Sequence, residues 1–287
     1  MNYGKIGFKP ADILIPQNID MEKWSVVACD QYTSEPGYWE QVEKFVGDNP
    51  SALNITFPEI YLSGDNSKRI NKINNTMEEY IDKGIFKEYK NSFIYTERVI
   101  GGGKIRHGLI GAVDLEAYDF RANSKSLIRA TEGTVIERIP PRVKIRENAP
   151  LESPHIMILI DDDKKEIIEK IDKSKLEKVY DFDLMMESGH ITGYLVKNTE
   201  EICRKFEKLL ENQGENPLLF AMGDGNHSLA TAKTCWENIK KEIPEGEWVN
   251  HPARYALAEI VNIHDTSMEF EPIHRVVFDV DPEDVIN

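Results

Sequence analysis

The stretch Leu218-Leu219-Phe220-Ala221-Met222-Gly223-Asp224-Gly225-Asn226-His227-Ser228-Leu229-Ala230 decides how the rest of the chain is read. Residues 218–222 form an apolar run of strand length, two glycines flank Asp224, and Ser228, Leu229, Ala230, Ala232 and Lys233 begin a helical pattern. A helix start leaves backbone N–H groups free at the positive end of its dipole, and glycines let a ligand approach them closely. Gly223, Gly225, Asn226 and Ser228 are therefore candidates to bind a phosphate or carboxylate. Asp224 would repel a bare phosphate, so it is cast as a ligand of Mg²⁺ bridging phosphate oxygens, or as the acceptor of a substrate hydroxyl proton. His227 is cast as a donor to a phosphate oxygen or a proton shuttle. The plain alternative is that Asp224 caps the helix and His227 is a surface histidine.

Upstream, residues 199–210 carry the inward series Ile202, Phe206, Leu209 and Leu210, a helix capped by Thr199 and ended near Gly214. Residues 155–160 read as a continuous apolar strand, and Asp161-Asp162-Asp163 as the acidic first turn of a helix holding Ile167, Ile168 and Ile171. Residues 93–100 and 105–113 read as a hairpin turning at Gly101-Gly102-Gly103. A helix spans residues 67–83, with Gly84 as its stop. Another follows Ser34 as N-cap, with Pro36 in its first turn and Gly47 after it. Short strands at 12–15 and 25–29 open the chain.

The predicted fold is mixed α/β, with mixed sheets flanked by helices, in an N-terminal region of residues 1–120 and a C-terminal region of residues 121–287, or in one continuous domain. Residues 281–284 look like the first turn of a further helix, so the natural chain is expected to continue past Asn287.

Thirty-five basic against fifty acidic residues give a formal charge of −15, which opposes binding to a nucleic-acid backbone. Residues 121–146 run the other way, with seven basic residues against two acidic. One basic stretch in an acidic protein suits a small anion better than a duplex. No run has the length of a membrane span or the form of a signal segment, which predicts a cytoplasmic protein. Cys29, Cys203 and Cys235 are odd in number and far apart, which predicts neither a disulfide framework nor structural zinc. Cys29 reads as a core residue, and His190, between Gly189 and Gly193, as a turn residue.

Four stretches together resemble the family known as the domain of unknown function 1015. They are Phe8-Lys9-Pro10-Ala11-Asp12, Val27-Ala28-Cys29-Asp30-Gln31-Tyr32, the Gly223 to His227 motif and Pro272-Ile273-His274-Arg275. That family brings no settled reaction with it. The motif at Asp224 is also similar to the nucleotide-handling turn of the ParB and sulfiredoxin superfamily, which includes kinases of free serine. The resemblance implies ATP or ADP with Mg²⁺ as cofactor, Asp224 at the acidic position and His227 at the second histidine. The chain departs from it at Asn226, where histidine is usual, and at Ser228, where arginine is usual. Losing that arginine removes a bidentate phosphate contact, and Arg129, Arg138, Arg142 and Arg275 are the cations that can replace it. Asp30, after a predicted strand, is expected to face the same cleft.

Two functions follow as expectations. The first is a phosphotransferase acting on a small hydroxyl compound, with free serine suggested by the resemblance; the second is a nucleotide- or metabolite-sensing protein without turnover. A ParB-like nucleic-acid module is opposed by the charge.

Overall fold

The computed structural model describes residues 3–28, 32–62, 64–153, 156–269 and 278–280. In chain order the elements are β1 (Phe8–Lys9), β2 (Ala11–Pro16), α1 (Met21–Trp24), α2 (Pro36–Val46), α3 (Ser67–Asp82), β3 (Phe86–Val99), β4 (Ile105–Asp114), β5 (Tyr118–Asp119) and β6 (Ile128–Arg129). They continue with α4 (Ile139–Arg146), β7 (Met157–Ile160), β8 (Glu177–Asp183), β9 (His190–Val196), α5 (Thr199–Glu211), β10 (Phe220–Asp224), α6 (Asn226–Ile239) and β11 (Tyr255–Asn262).

Nine strands run in the order β5-β6-β10-β7-β11-β4-β3-β9-β8, with β1 added on β4 and β2 on β3. The fold is mixed α/β as predicted. Pairings β5/β6, β6/β10 and β7/β11 are parallel, and the others antiparallel. On one face, alternate residues such as Phe93, Leu109, Ile158, Phe220, Met222 and Ile260 meet Ile202 and Phe206 of α5 and Leu229, Ala232 and Trp236 of α6. On the other, Ile13, Ile15, Ile94 and Leu195 form a smaller cluster. Helix α3 buries Ile73, Met77 and Tyr80 against Ile55, and α2 buries Val42 and Val46 against Met185.

The hairpin at the triple glycine forms as predicted, with Gly102 and Gly103 at positive φ. Helix α3 stops before Gly84, also at positive φ. Several expectations need correction. Residues 25–28 form no strand, because side chains take up the neighbouring carbonyls: Tyr38 donates to Val27 and Ser51 to Lys23. The helix expected from residue 161 does not form, and residues 161–172 are a loop. Asp162 is buried there and its carboxylate accepts the N–H of Ile167 at 2.8 Å, so a side chain fixes a loop where a first helical turn was expected.

Helix α2 has Glu35, not Ser34, at its N-cap, and α5 begins at Thr199 after Asn198. His190 opens β9 and bonds Asp183 and Asp181, each at 2.7 Å. Strand β10 is displaced two residues from its expected span, which carries Gly223 and Asp224 into the strand end. The predicted features at residues 29–31, 155 and 270–277, and the helix start at 281–284, lie outside the described residues.

Gly111 marks the tightest part of the core. A Cβ built there would lie 2.4 Å from Phe8 Cζ and 2.7 Å from Phe93 Cδ1, and those two rings stack with centroids 5.0 Å apart. Overpacking a close-packed interior costs about 1–3 kcal/mol. Gly111→Ala is therefore expected to lower the free energy of unfolding by that much, read as a lower urea midpoint at an unchanged m-value. Gly101→Ala, whose Cβ meets nothing within 4 Å, should change stability by less than about 0.5 kcal/mol. Equal effects at the two positions would contradict this packing.

Candidate functional site

Strand β10 is pinned on one side by β6, with Ala221 opposite Arg129, and on the other by β7, with a bulge between Met222 and Asp224. The bulge brings Asp224 to an exposed position at the strand end. Gly225 follows in the left-handed region at φ 84°, ψ 27° and serves as N-cap of α6. Glycine is required there twice, by its φ and by space, since a Cβ would lie 3.1 Å from Ile156 Cα. No side chain caps the helix. Asp224 turns its Oδ1 to the N–H of Gly225 at 2.7 Å, so it closes the turn and leaves the N–H groups of Asn226, His227 and Ser228 to other partners.

The segment that follows β6 passes over this helix start. Thr131 Oγ1 donates to the carbonyl of Met222 at 2.9 Å, Asn226 Nδ2 donates to Glu132 Oε1 at 3.1 Å, and the N–H of Val135 donates to His227 Nε2 at 3.3 Å. An imidazole nitrogen that accepts a backbone N–H must be unprotonated, so His227 carries its proton on Nδ1. Burial lowers the pKa of His227, and the positive charges of Arg142 and Arg138 lower it further. Asn226 is 6% exposed, and its Oδ1 has no hydrogen-bond donor among the described residues.

The basic stretch divides by role. Helix α4 packs on α6 and brings Arg138 and Arg142 within electrostatic reach of His227. Arg142 is paired with Glu59 and also donates to the carbonyl of Arg138 at 2.9 Å. Arg138 is exposed and forms no ion pair among the described residues. Arg129 is committed to main-chain carbonyls, Ser126 at 2.7 Å, Asn216 at 3.3 Å and Pro217, so it ties the β6 end to the loop before β10. Arg121 pairs with Asp119 and Arg146 with Glu152. Asp30 and Arg275 lie outside the described residues.

Sequence reasoning passed over Glu132, which entered only as an acidic count against the basic stretch. An exposed acid on a polar loop carries no local signal, because its partner Asn226 lies 94 residues away in sequence.

Beside this loop lies an open cleft of about 510 Å³ lined by Phe120, Asn123, Ser124, Thr131, Glu132 and Thr134, among others. It sits beyond the carboxyl ends of β5 and β6, strands that run parallel to β10, the edge at which ligands of α/β sheets collect. No group of three His, Cys, Asp or Glu side chains gathers to hold a metal among the described residues. Asp224 supplies one exposed carboxylate. Mg²⁺ held there would draw its remaining ligands from phosphate oxygens and water, a common arrangement for this ion.

The environment of His227 has a measurable consequence. Its imidazole resonances should titrate below the ordinary value of about 6.5. Because the fold favours the neutral form, His227 withdraws stability as pH falls through about 6.5 toward the lower folded pKa, and His227→Gln should remove that component. A folded-state midpoint above 6.5 by NMR would contradict the assignment.

Among the described residues no helix is long and apolar enough to cross a membrane. Comparison with curated proteins and with solved structures finds no match. Residues 11–287 match the family model described as a protein of unknown function (DUF1015), and the chain belongs to that family.

Proposed function

We propose that the β10–α6 turn binds the phosphate of a small phosphorylated ligand. The observation that carries this reading is a 14-residue helix that starts at a left-handed glycine with no side-chain cap. Exposed Arg138, without an ion pair among the described residues, lies close enough to His227 to act on its charge. Free N–H groups, the helix dipole, the Nδ1–H of His227 and an available guanidinium are all complementary to a phosphate.

A nucleotide such as ATP or ADP with Mg²⁺ is the ligand suggested by resemblance, and Asp224 is the residue we assign to the metal. As an exposed carboxylate one residue before the helix N-cap, Asp224 would hold Mg²⁺ against phosphate oxygens or accept the proton of a small hydroxyl substrate such as free serine. A specific observation favours the second reading, a nucleotide- or metabolite-sensing protein without turnover. Phosphoryl transfer is accelerated by cations around the moving group. Here Arg129 is spent on carbonyls, Arg142 is paired with Glu59, and Ser228 stands where an arginine is usual in the similar motif.

Two substitutions test these readings. Arg138→Ala should weaken phosphate binding by about tenfold to a hundredfold at low salt, the range for losing one charge-assisted bond, with little change in melting temperature. Unchanged affinity in calorimetry would remove Arg138 from the site. Asp224→Asn should leave the fold intact, and if the protein is a kinase it should lower turnover by about a hundredfold or more. Nucleotide turnover absent from both proteins, with binding intact, would leave the sensor.

A further inference from the structure

We propose that Glu132 is an internal anion seated at the start of α6, which a ligand phosphate must displace, so that this one side chain sets the affinity and the opening of the site. The inference rests on the phosphate reading of the β10–α6 turn.

Glu132 Oε1 receives the side-chain amide of Asn226, the first residue of α6. Its charge is also close enough to His227 to oppose the effect of Arg138 and Arg142 on that imidazole. A carboxylate is thus held at the positive end of a helix, beside the histidine and arginines that would receive a phosphate. Two anions cannot share that position without like-charge repulsion.

The segment bearing Glu132 is lightly held. Glu132 and Gly133 are exposed, a Cβ at Gly133 would meet nothing within 4 Å, and the large apolar side chains that follow, Val135 and Ile136, remain 43% and 57% exposed. Neither side chain is more than about half buried, so apolar burial anchors these residues only weakly. Their ties to α6 are the bonds from Asn226 to Glu132 and from Val135 to His227.

Asn226 adds a second, independent observation. Its side chain is nine-tenths buried, Glu132 satisfies the amide nitrogen, and Oδ1 has no donor among the described residues. A buried acceptor left without a donor is costly, and a ligand hydroxyl or protonated phosphate oxygen would supply one. Glu132 and Thr134 also line the neighbouring cleft. Moving this segment outward would join the helix start to that cleft, giving room for the part of the ligand that carries the phosphate.

The test is calorimetric titration of inorganic phosphate into the whole protein at low ionic strength, for the parent, Glu132→Ala and Glu132→Gln. Removing a competing charge at a helix end should tighten binding by about two- to fivefold in both variants, the factor matching a helix-terminus charge interaction. Glu132→Gln keeps the shape of the side chain and guards against a folding artefact. Amide hydrogen exchange supplies the second readout, in which phosphate should speed exchange of the Val135 N–H in the parent. Binding in the two variants that is no tighter than in the parent, or Val135 exchange that phosphate does not speed in the parent, overturns the role of Glu132. No phosphate binding in any of the three proteins would instead overturn the reading of the turn itself.

Discussion

The ring of Phe8 is the constraint on which the arrangement depends. It stacks on Phe93 at 5.0 Å and meets Phe206 edge-on at 5.5 Å and Phe220 at 5.9 Å, and all four rings are essentially inaccessible to water. These contacts join β1, β3, α5 and β10, elements far apart in sequence. Aromatic pairs of this kind add about 0.5–1.5 kcal/mol each beyond their area of burial. Gly111 provides the floor beneath Phe8, since a side chain there would occupy the space of the ring. With Phe220 fixed in this cluster, β10 has one register against β6 and β7, and its end at Asp224 is placed by the core.

From that fixed point the chemistry of the turn is largely local. The bulge exposes Asp224, the left-handed Gly225 starts α6, and the first helical turn is free of a side-chain cap. Two positive charges, Arg142 and Arg138, act on His227 there and are opposed by two negative ones, Glu132 and Glu59. Arg142 and Glu59 satisfy each other, which leaves Arg138 and Glu132 to decide whether the site favours an incoming anion.

The parts of the fold that were legible in the sequence were those set by local chemistry. Helix α3 has its apolar series and Gly84, the β3–β4 hairpin has its three glycines, and the strand-turn-helix at β10 and α6 carries its own glycines. The parts missed were decided by distant partners. Residues 25–28 have a strand-like composition, but the Tyr38 hydroxyl takes the carbonyl of Val27 and the Ser51 hydroxyl that of Lys23 just before them. The isoleucines after residue 160 are buried in a loop because Asp162 bonds the backbone of Ile167 and lies against Asn262. Strand β11 puts Ala256 and Ala258 into the larger cluster and Leu257 against the smaller one on the opposite face, so residues 255–258 gave no polar alternation to read. In the site, the cations of residues 121–146 looked equivalent in sequence. Arg129 differs from Arg138 because Asn216 and Pro217, nearly ninety residues away, offer it carbonyls.

The central claim is that the N–H groups at the start of α6 receive phosphate. The most direct measurement is an amide NMR titration of the isotopically labelled protein with inorganic phosphate at low salt. The account predicts saturable downfield shifts of the Asn226, His227 and Ser228 N–H resonances, the groups that a helix start leaves for an anion. Saturable binding that leaves those three resonances unmoved while shifting others would contradict it.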